Sequence, residues 1–161
     1  GEDEEYRLPS DHEWSCAVGI GEEEDASALP MEKDEEIAGV YPWGSSWPPP
    51  EGVGNYSDAA AVEAFGFSGI DGYTDGHAFT AEVGSFPASP AGIHDLGGNV
   101  WEWCEDWWDD DRGPDDSRVL RGGSWSDGER GILLSSYRLN YAPSGRSRDL
   151  GFRVVLSSPR P

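Results

Sequence analysis

Apolar positions along this chain come in short bursts separated by glycine, proline and acidic residues, and no stretch keeps one period for long. The first periodic segment is YRLPSDHEWSCAV, residues 6–18. Ser10 with Glu13 three positions later forms a capping box after Pro9, which predicts a helix starting at Asp11. Trp14 and Val18 then share one face at i, i+4 spacing and make a core contact. Residues 19–40 are acidic, glycine-bounded and without period, and read as a long surface loop. The prolines and glycines of YPWGSSWPPPEGVGNYSD, Tyr41 to Asp58, exclude a helix, while Tyr41, Trp43, Trp47 and Tyr56 anchor that loop on the body. Ala59 to Ala64 reads as a short helix.

Further on, VGSFPASPAGIHDLGGNVWEW passes through a short strand and a proline turn into the glycine pair Gly97-Gly98. The alternation at Val100-Trp101-Glu102-Trp103 predicts a strand with both tryptophans on one face, anchoring the core, and Glu102 on the other. Asp109 to Asp116 is an acidic turn. RVLR at 118–121 reads as a strand ending at Gly122-Gly123, with more strand at Ser136–Asn140 and at Leu150–Leu156.

A length of 161 residues bounds this to a single domain, 1–161, with flexible ends at 1–5 and 157–161. The 22 glycines and 12 prolines disfavour a helical bundle, because both residues are costly inside helices. The fold class expected is α+β: loop-rich, with short antiparallel strands and few helices. Net charge is -21 and unevenly spread: residues 118–161 carry eight arginines against three acidic residues, a balance of +5, leaving -26 on residues 1–117. Such an acidic body repels nucleic acid and anionic membranes, and its acidic runs at 2–5, 22–25 and 32–36 read as solvated. No apolar run approaches membrane-spanning length, and no charged-then-apolar leader opens the chain. Cys16 and Cys104 either pair or remain buried thiols, and their spacing matches no metal motif.

Candidate chemistry centres on residues 92–108. Asp95 and Glu102 come together if the glycine turn folds the backbone back, so the stretch is either a turn feeding a core strand or a cation site. Asp71 and Asp75 sit beside glycines, as turn residues or as oxygen ligands of a hard cation. Residues 126–149 are polar and punctuated by arginine, a candidate recognition surface on a rigid frame. Trp125, Arg130, Tyr137, Tyr141 and Arg146 are its expected contacts, since aromatic rings and guanidinium forks suit interfaces. Arg121, Arg138 and Arg153 are instead expected to be scaffold arginines paired with the acidic body.

The ordered set YRLPSDHEW, YPWG, GNYSD, TDGHAFTAEVGSFP, GIHDLGGNVWEW, RVLRGGSW, SSYR and LGFRVV resembles the formylglycine-generating enzyme, or sulfatase-modifying factor, family from Tyr6 to Leu156. That resemblance implies a C-type lectin-like fold. It also implies one structural Ca²⁺ held by the Asp95 and Glu102 side chains with the Gly98 and Val100 carbonyls, and favours that site over a bare turn. A second falls on the Asn55 and Asp75 side chains with the Tyr56 and His77 carbonyls. The same domain occurs in sulfoxide synthases, in multidomain bacterial proteins with kinase domains and in variable proteins of diversity-generating retroelements.

Two departures from the family shape the functional expectation. The copper-binding cysteine pair aligns with Asp127 and Ile132, neither of which supplies a thiolate. Formylglycine formation is therefore not expected, nor are copper and iron. The portion that the family carries before its RLP motif is also missing, so a partner chain or segment supplying it is one expectation. The leading expectation is a non-catalytic module for a protein or small-molecule ligand, a retroelement variable protein being one form. The alternatives are an enzyme subunit completed by a missing segment and a regulatory module of a larger signalling protein.

Overall fold

The computed structural model describes residues 4–110 and 116–157. Two helices and six short strands are strung on long loops. The helices are α1 (Asp11–Val18) and α2 (Ala59–Phe65), and a 3₁₀ turn spans Pro30–Glu32. The strands are β1 (Glu5–Arg7), β2 (Trp101–Trp107), β3 (Arg118–Arg121), β4 (Leu139–Tyr141), β5 (Leu150–Gly151) and β6 (Val155–Ser157). One sheet has the order β4-β3-β2-β5, and a separate ribbon pairs β1 with β6. The class is α+β as expected, with one exception to the antiparallel pattern: β5 runs parallel to β2.

Local chemistry accounts for both helices. The Ser10 hydroxyl accepts from the Glu13 amide at 3.1 Å, and the Glu13 carboxylate accepts from the Ser10 amide at 2.8 Å. Gly19 closes α1 in the left-handed region, where a residue without Cβ meets no steric penalty. Asp58 caps α2 through the Ala60 and Ala61 amides. Trp14 joins Leu96, Cys104 and Val119 in one core cluster with Val18 packed against it; Tyr41, Tyr56, Ile70, Tyr73 and Leu133 form the other, with Trp43 and Trp47 against them. The aromatic loop 41–58 is thus fastened to the body as its composition implied.

Several sequence expectations need correction. In β2 Trp101 is buried, as expected of a core anchor, but Trp103 is only half-buried beside Tyr141, and the side facing α1 carries Glu102 and Cys104, both buried. The polar side of that strand is therefore covered as well, because helix α1 lies over it. No strand forms in VGSFP, and the strand expected at Ser136–Asn140 begins only at Leu139. Leu150–Leu156 is not one strand: Phe152–Val154 turn out of the ladder between β5 and β6, and the Arg153 guanidinium binds the 92–102 segment instead. Glu5 and Ser157, assigned to flexible ends, face each other in the β1–β6 register. The rest of those ends, 1–3 and 158–161, and residues 111–115 of the acidic turn lie outside the described residues. Cys16 and Cys104 are both free thiols, the first exposed and the second buried.

Most carboxylates of the acidic loop 19–40 are exposed, as expected, while Glu24 and Lys33 turn inward. Lys33 bonds the Asp11 carboxylate at 2.7 Å, and Glu24 takes Arg138 Nη2 at 2.7 Å with almost none of its side chain exposed. Arg121 and Arg138 converge on the same Asp11 carboxylate. Two of the three scaffold arginines read from the sequence are therefore the centre of a buried ion network, and the loop supplies part of its charge.

Candidate functional site

The 92–103 segment folds back as the glycine pair allows. Gly98, at φ 76°, donates to Gly122 O at 2.8 Å, and Asn99, at φ 62°, donates to Asn55 O at 2.8 Å. Asp95 and Glu102 come to one cleft of about 560 Å³, which Val100, Phe152 and Arg153 also line. Glu102 is buried, and its carboxylate is already engaged. Arg153 Nε reaches Oε2 at 2.6 Å, Arg153 Nη2 reaches Oε1 at 2.5 Å, and the Trp14 indole donates to Oε2 at 3.0 Å. The same Arg153 Nη2 contacts the carbonyls of His94 at 3.1 Å and Asp95 at 3.0 Å. Burial pushes the Glu102 carboxyl up, and Arg153 opposes that rise. A guanidinium thus holds both oxygens of Glu102, one of the two carboxylates of this set, and a divalent ion beside it would meet a like charge. The donor set at 95–102 does not suit Ca²⁺ while Arg153 is there.

The second set differs. Asn55 is fully buried, its Nδ2 donating to Phe79 O at 2.8 Å and to Asn99 Oδ1 at 3.3 Å. Its Oδ1 has no hydrogen-bond partner, a costly state for a buried acceptor. The Asp75 carboxylate is half-buried against the neighbouring backbone and accepts the Tyr56 and His77 amides, each at 2.9 Å. Burial pushes the Asp75 carboxyl up and Asp58 adds to that rise, while those amides and His77 pull it down. A carboxylate held by backbone amides and an orphaned amide oxygen on adjacent backbone suit a hard cation. Among the described residues no three His, Cys, Asp or Glu side chains gather into a metal-binding group, so such an ion would lean on carbonyl oxygen.

Where the resemblance places the copper cysteines, Asp127 holds the Ser124 amide at 2.9 Å and the Ser124 hydroxyl at 2.6 Å. Ile132 is half-buried. Cys104 cannot replace the pair, since burial pushes its thiol up and it sits under α1.

The residues expected on the recognition surface divide among different surroundings. Arg130 Nε donates to the Tyr41 hydroxyl at 2.9 Å. Tyr137 leans on Trp101 and Tyr141 on Trp103, with ring centroids 5.9 and 6.4 Å apart. Arg146 is exposed. Trp125 is not an exposed contact: it is 1% exposed, under Phe65, Phe67 and Phe79. Those three phenylalanines and Asn99 escaped the sequence reading. Only the position of Asn99 beside the glycine pair hinted at a left-handed, structural asparagine.

The family profile of the sulfatase-modifying factor enzyme 1-like domain matches residues 1–158. The chain belongs to this family. It is 30% identical over 161 residues to inactive C-alpha-formylglycine-generating enzyme 2 from Bos taurus, covering 96% of this chain and 45% of that protein. Among solved structures it resembles PvdO from Pseudomonas aeruginosa, with a TM-score of 0.63 and 26% identity over 92% of this chain and 51% of that one. It also resembles Treponema denticola variable protein 1, with a TM-score of 0.59 and 25% identity over 96% and 48% of the two chains. The chain spans about half the length of the proteins it matches. The RLP, NVWEW, RGGSW and GFR segments of this sulfatase-modifying factor domain are the ones that build its frame: α1, β2, β3 and the Arg153 clasp.

Proposed function

We propose that this sulfatase-modifying factor domain is a non-catalytic binding module on a lectin-like scaffold. The observation that carries this reading is the pair of residues at the cysteine positions. Asp127 is spent on holding the Ser124 turn, and Ile132 has no ligating atom. The likeness to an inactive formylglycine-generating enzyme and to a variable protein supports the same reading. The recognition surface then lies on residues 125–149, with Arg130, Tyr141 and Arg146 as the outward contacts. Purified chain incubated with Cu(I) and a thiol peptide should consume no oxygen above the buffer rate. Copper-dependent oxygen uptake would overturn the reading.

The scaffold on this reading is stiffened by one Ca²⁺, held by the Asn55 and Asp75 side chains and the Tyr56 and His77 carbonyls, while Arg153 supplies the positive charge at 95–102. An ion that binds only the folded state raises stability by about 2.7 kcal/mol at a hundred times its Kd. One equivalent of calcium is expected by metal analysis, with thermal stability falling on chelation. Asn55→Ala should abolish that dependence and Glu102→Gln should keep it. Two equivalents, or loss of the ion in Glu102→Gln alone, would return the ion to the 95–102 set.

A further inference from the structure

Four aromatic rings gather where the sequence showed no motif. Phe65 ends α2, Phe67 follows Gly66, Phe79 comes from the glycine-rich loop, and Trp125 follows β3. Phe65 lies 5.4 Å from Trp125 and 4.5 Å from Phe79 between ring centroids, at 62° and 73° between planes. Phe67 and Phe79 meet Trp125 at 5.8 and 5.4 Å, tilted by 54° and 49°. Phe65 and Phe67 lie nearly parallel, 5.5 Å apart at 27°, and Phe79 and Trp125 are inclined to Phe65, so the cluster has ring faces of two orientations.

Arg148 stands over three of those rings. Its Cζ is 4.7 Å from the Phe65 centroid, 5.3 Å from Trp125 and 5.7 Å from Phe67. Among the described residues it forms no hydrogen bond or ion pair, whereas Arg7, Arg121, Arg138 and Arg153 all meet carboxylates. In a chain of net charge -21, an arginine whose partners are ring faces marks a place that selects positive charge by π electrons. The occupant and the rings also differ in depth. Arg148 is exposed, on the loop between β4 and β5, while Trp125 is buried and Phe65 and Phe67 are half-buried. The Trp125 indole N–H, buried and without an acceptor, remains a free donor beside the cage.

We propose that Phe65, Phe67 and Trp125, with the exposed Phe79 beside them, form a binding site for an organic cation of the quaternary ammonium class, and that Arg148 is its internal occupant, displaced as the ligand enters. A quaternary ammonium has no N–H to satisfy, so it gives up no hydrogen bond on entering a site that offers ring faces and no acceptor. A guanidinium or primary ammonium gives up hydrogen bonds to water there. The acidic body raises the local concentration of any cation near the cage. This inference names the ligand class for the recognition surface and rests on the binding-module reading.

Choline and its neutral isostere 3,3-dimethyl-1-butanol are the probes, titrated into the full chain with tryptophan fluorescence and calorimetry as readouts. Choline should bind the native chain weakly, and Arg148→Ala should tighten it by at least about fivefold by removing the competing cation. Adding Phe65→Leu to Arg148→Ala keeps an apolar side chain, removes one π face and should return the affinity to the native level or below. The neutral isostere should bind none of the three. If Arg148→Ala fails to tighten choline, or the isostere binds as well as choline, the cage proposal falls. The oxygen and copper assays would still stand on their own, so the binding-module reading is tested separately.

Discussion

Asp11→Asn lowers the unfolding free energy by about 3–5 kcal/mol at neutral pH, the largest loss expected from removing one charge in this chain. Asp11 is 1% exposed, and its carboxylate receives Arg121, Arg138 at 2.9 and 3.0 Å, and Lys33 at 2.7 Å. Both guanidiniums are fully buried, and Glu24 is the other acid bonded to Arg138. Without Asp11, Arg121 keeps only the Ser135 carbonyl and a face of Trp14. Burial by itself would raise the Asp11 carboxyl, but Arg121 and Arg138 outweigh it and hold the group well below the usual carboxylate range. A depressed folded-state pKa means that the stabilisation is complete above the unfolded value, near 4, and is lost as pH falls through the folded one. Urea unfolding of the native chain should therefore weaken steeply in strong acid, and the Asp11→Asn variant should lack that component. A loss below about 1 kcal/mol at pH 7 would show that Glu24 and the carbonyls neutralise the arginines without Asp11.

Gly98→Ala is expected to cost about 2–5 kcal/mol, from a left-handed backbone and a clash together. Its φ is 76°, and an added Cβ would lie 2.3 Å from Asn55 O and 2.8 Å from Tyr56 Cε1. Neither neighbour can yield, since one is backbone held by Asn99 and the other a buried ring. Gly92 is the control. Its φ is 78°, but a Cβ there meets nothing within 4 Å, so Gly92→Ala should cost only about 1 kcal/mol. Thermal unfolding of the two variants separates conformational strain from collision. Equal losses would mean that residues 55 and 98 do not pack as closely as described. Because Asn55 is the displaced neighbour, the proposed calcium site predicts that Gly98→Ala also weakens calcium retention.

What could be read from the sequence was what short range determines. The Ser10/Glu13 box sets the start of α1 within four residues, and the Trp14–Val18 face follows from helical spacing. Arg121, Arg138 and Arg153 were assigned to the scaffold on charge grounds, and each meets an acid. Their partners were not legible: Asp11 is 127 residues from Arg138, and Glu102 is 51 from Arg153. The same distance problem misdirected the site. Trp125 looked like an outward contact because nothing near it in sequence covers it; the rings that do so come from residues 65, 67 and 79. The 95–102 set looked the stronger cation site until Arg153 was found on Glu102. The Asn55 site gained weight from an unpaired oxygen, which no sequence pattern displays.

The β1–β6 ribbon and the Asp11 network share a property that governs how the chain must be made. Arg7 meets Ser157 across 150 positions, and Asp11 waits for arginines 110 and 127 positions later. A ribosome releasing this chain from its N-terminus produces α1 early, before Arg121 and Arg138, the guanidinium partners of its central carboxylate, are synthesised. The frame cannot close until Arg138 has emerged, and the ribbon not until Ser157. Folding of this domain is therefore held back until its last strand has emerged, and pairings of such long range make it slow once it begins. Nascent chains stopped before Arg138 should be open to protease along their whole length.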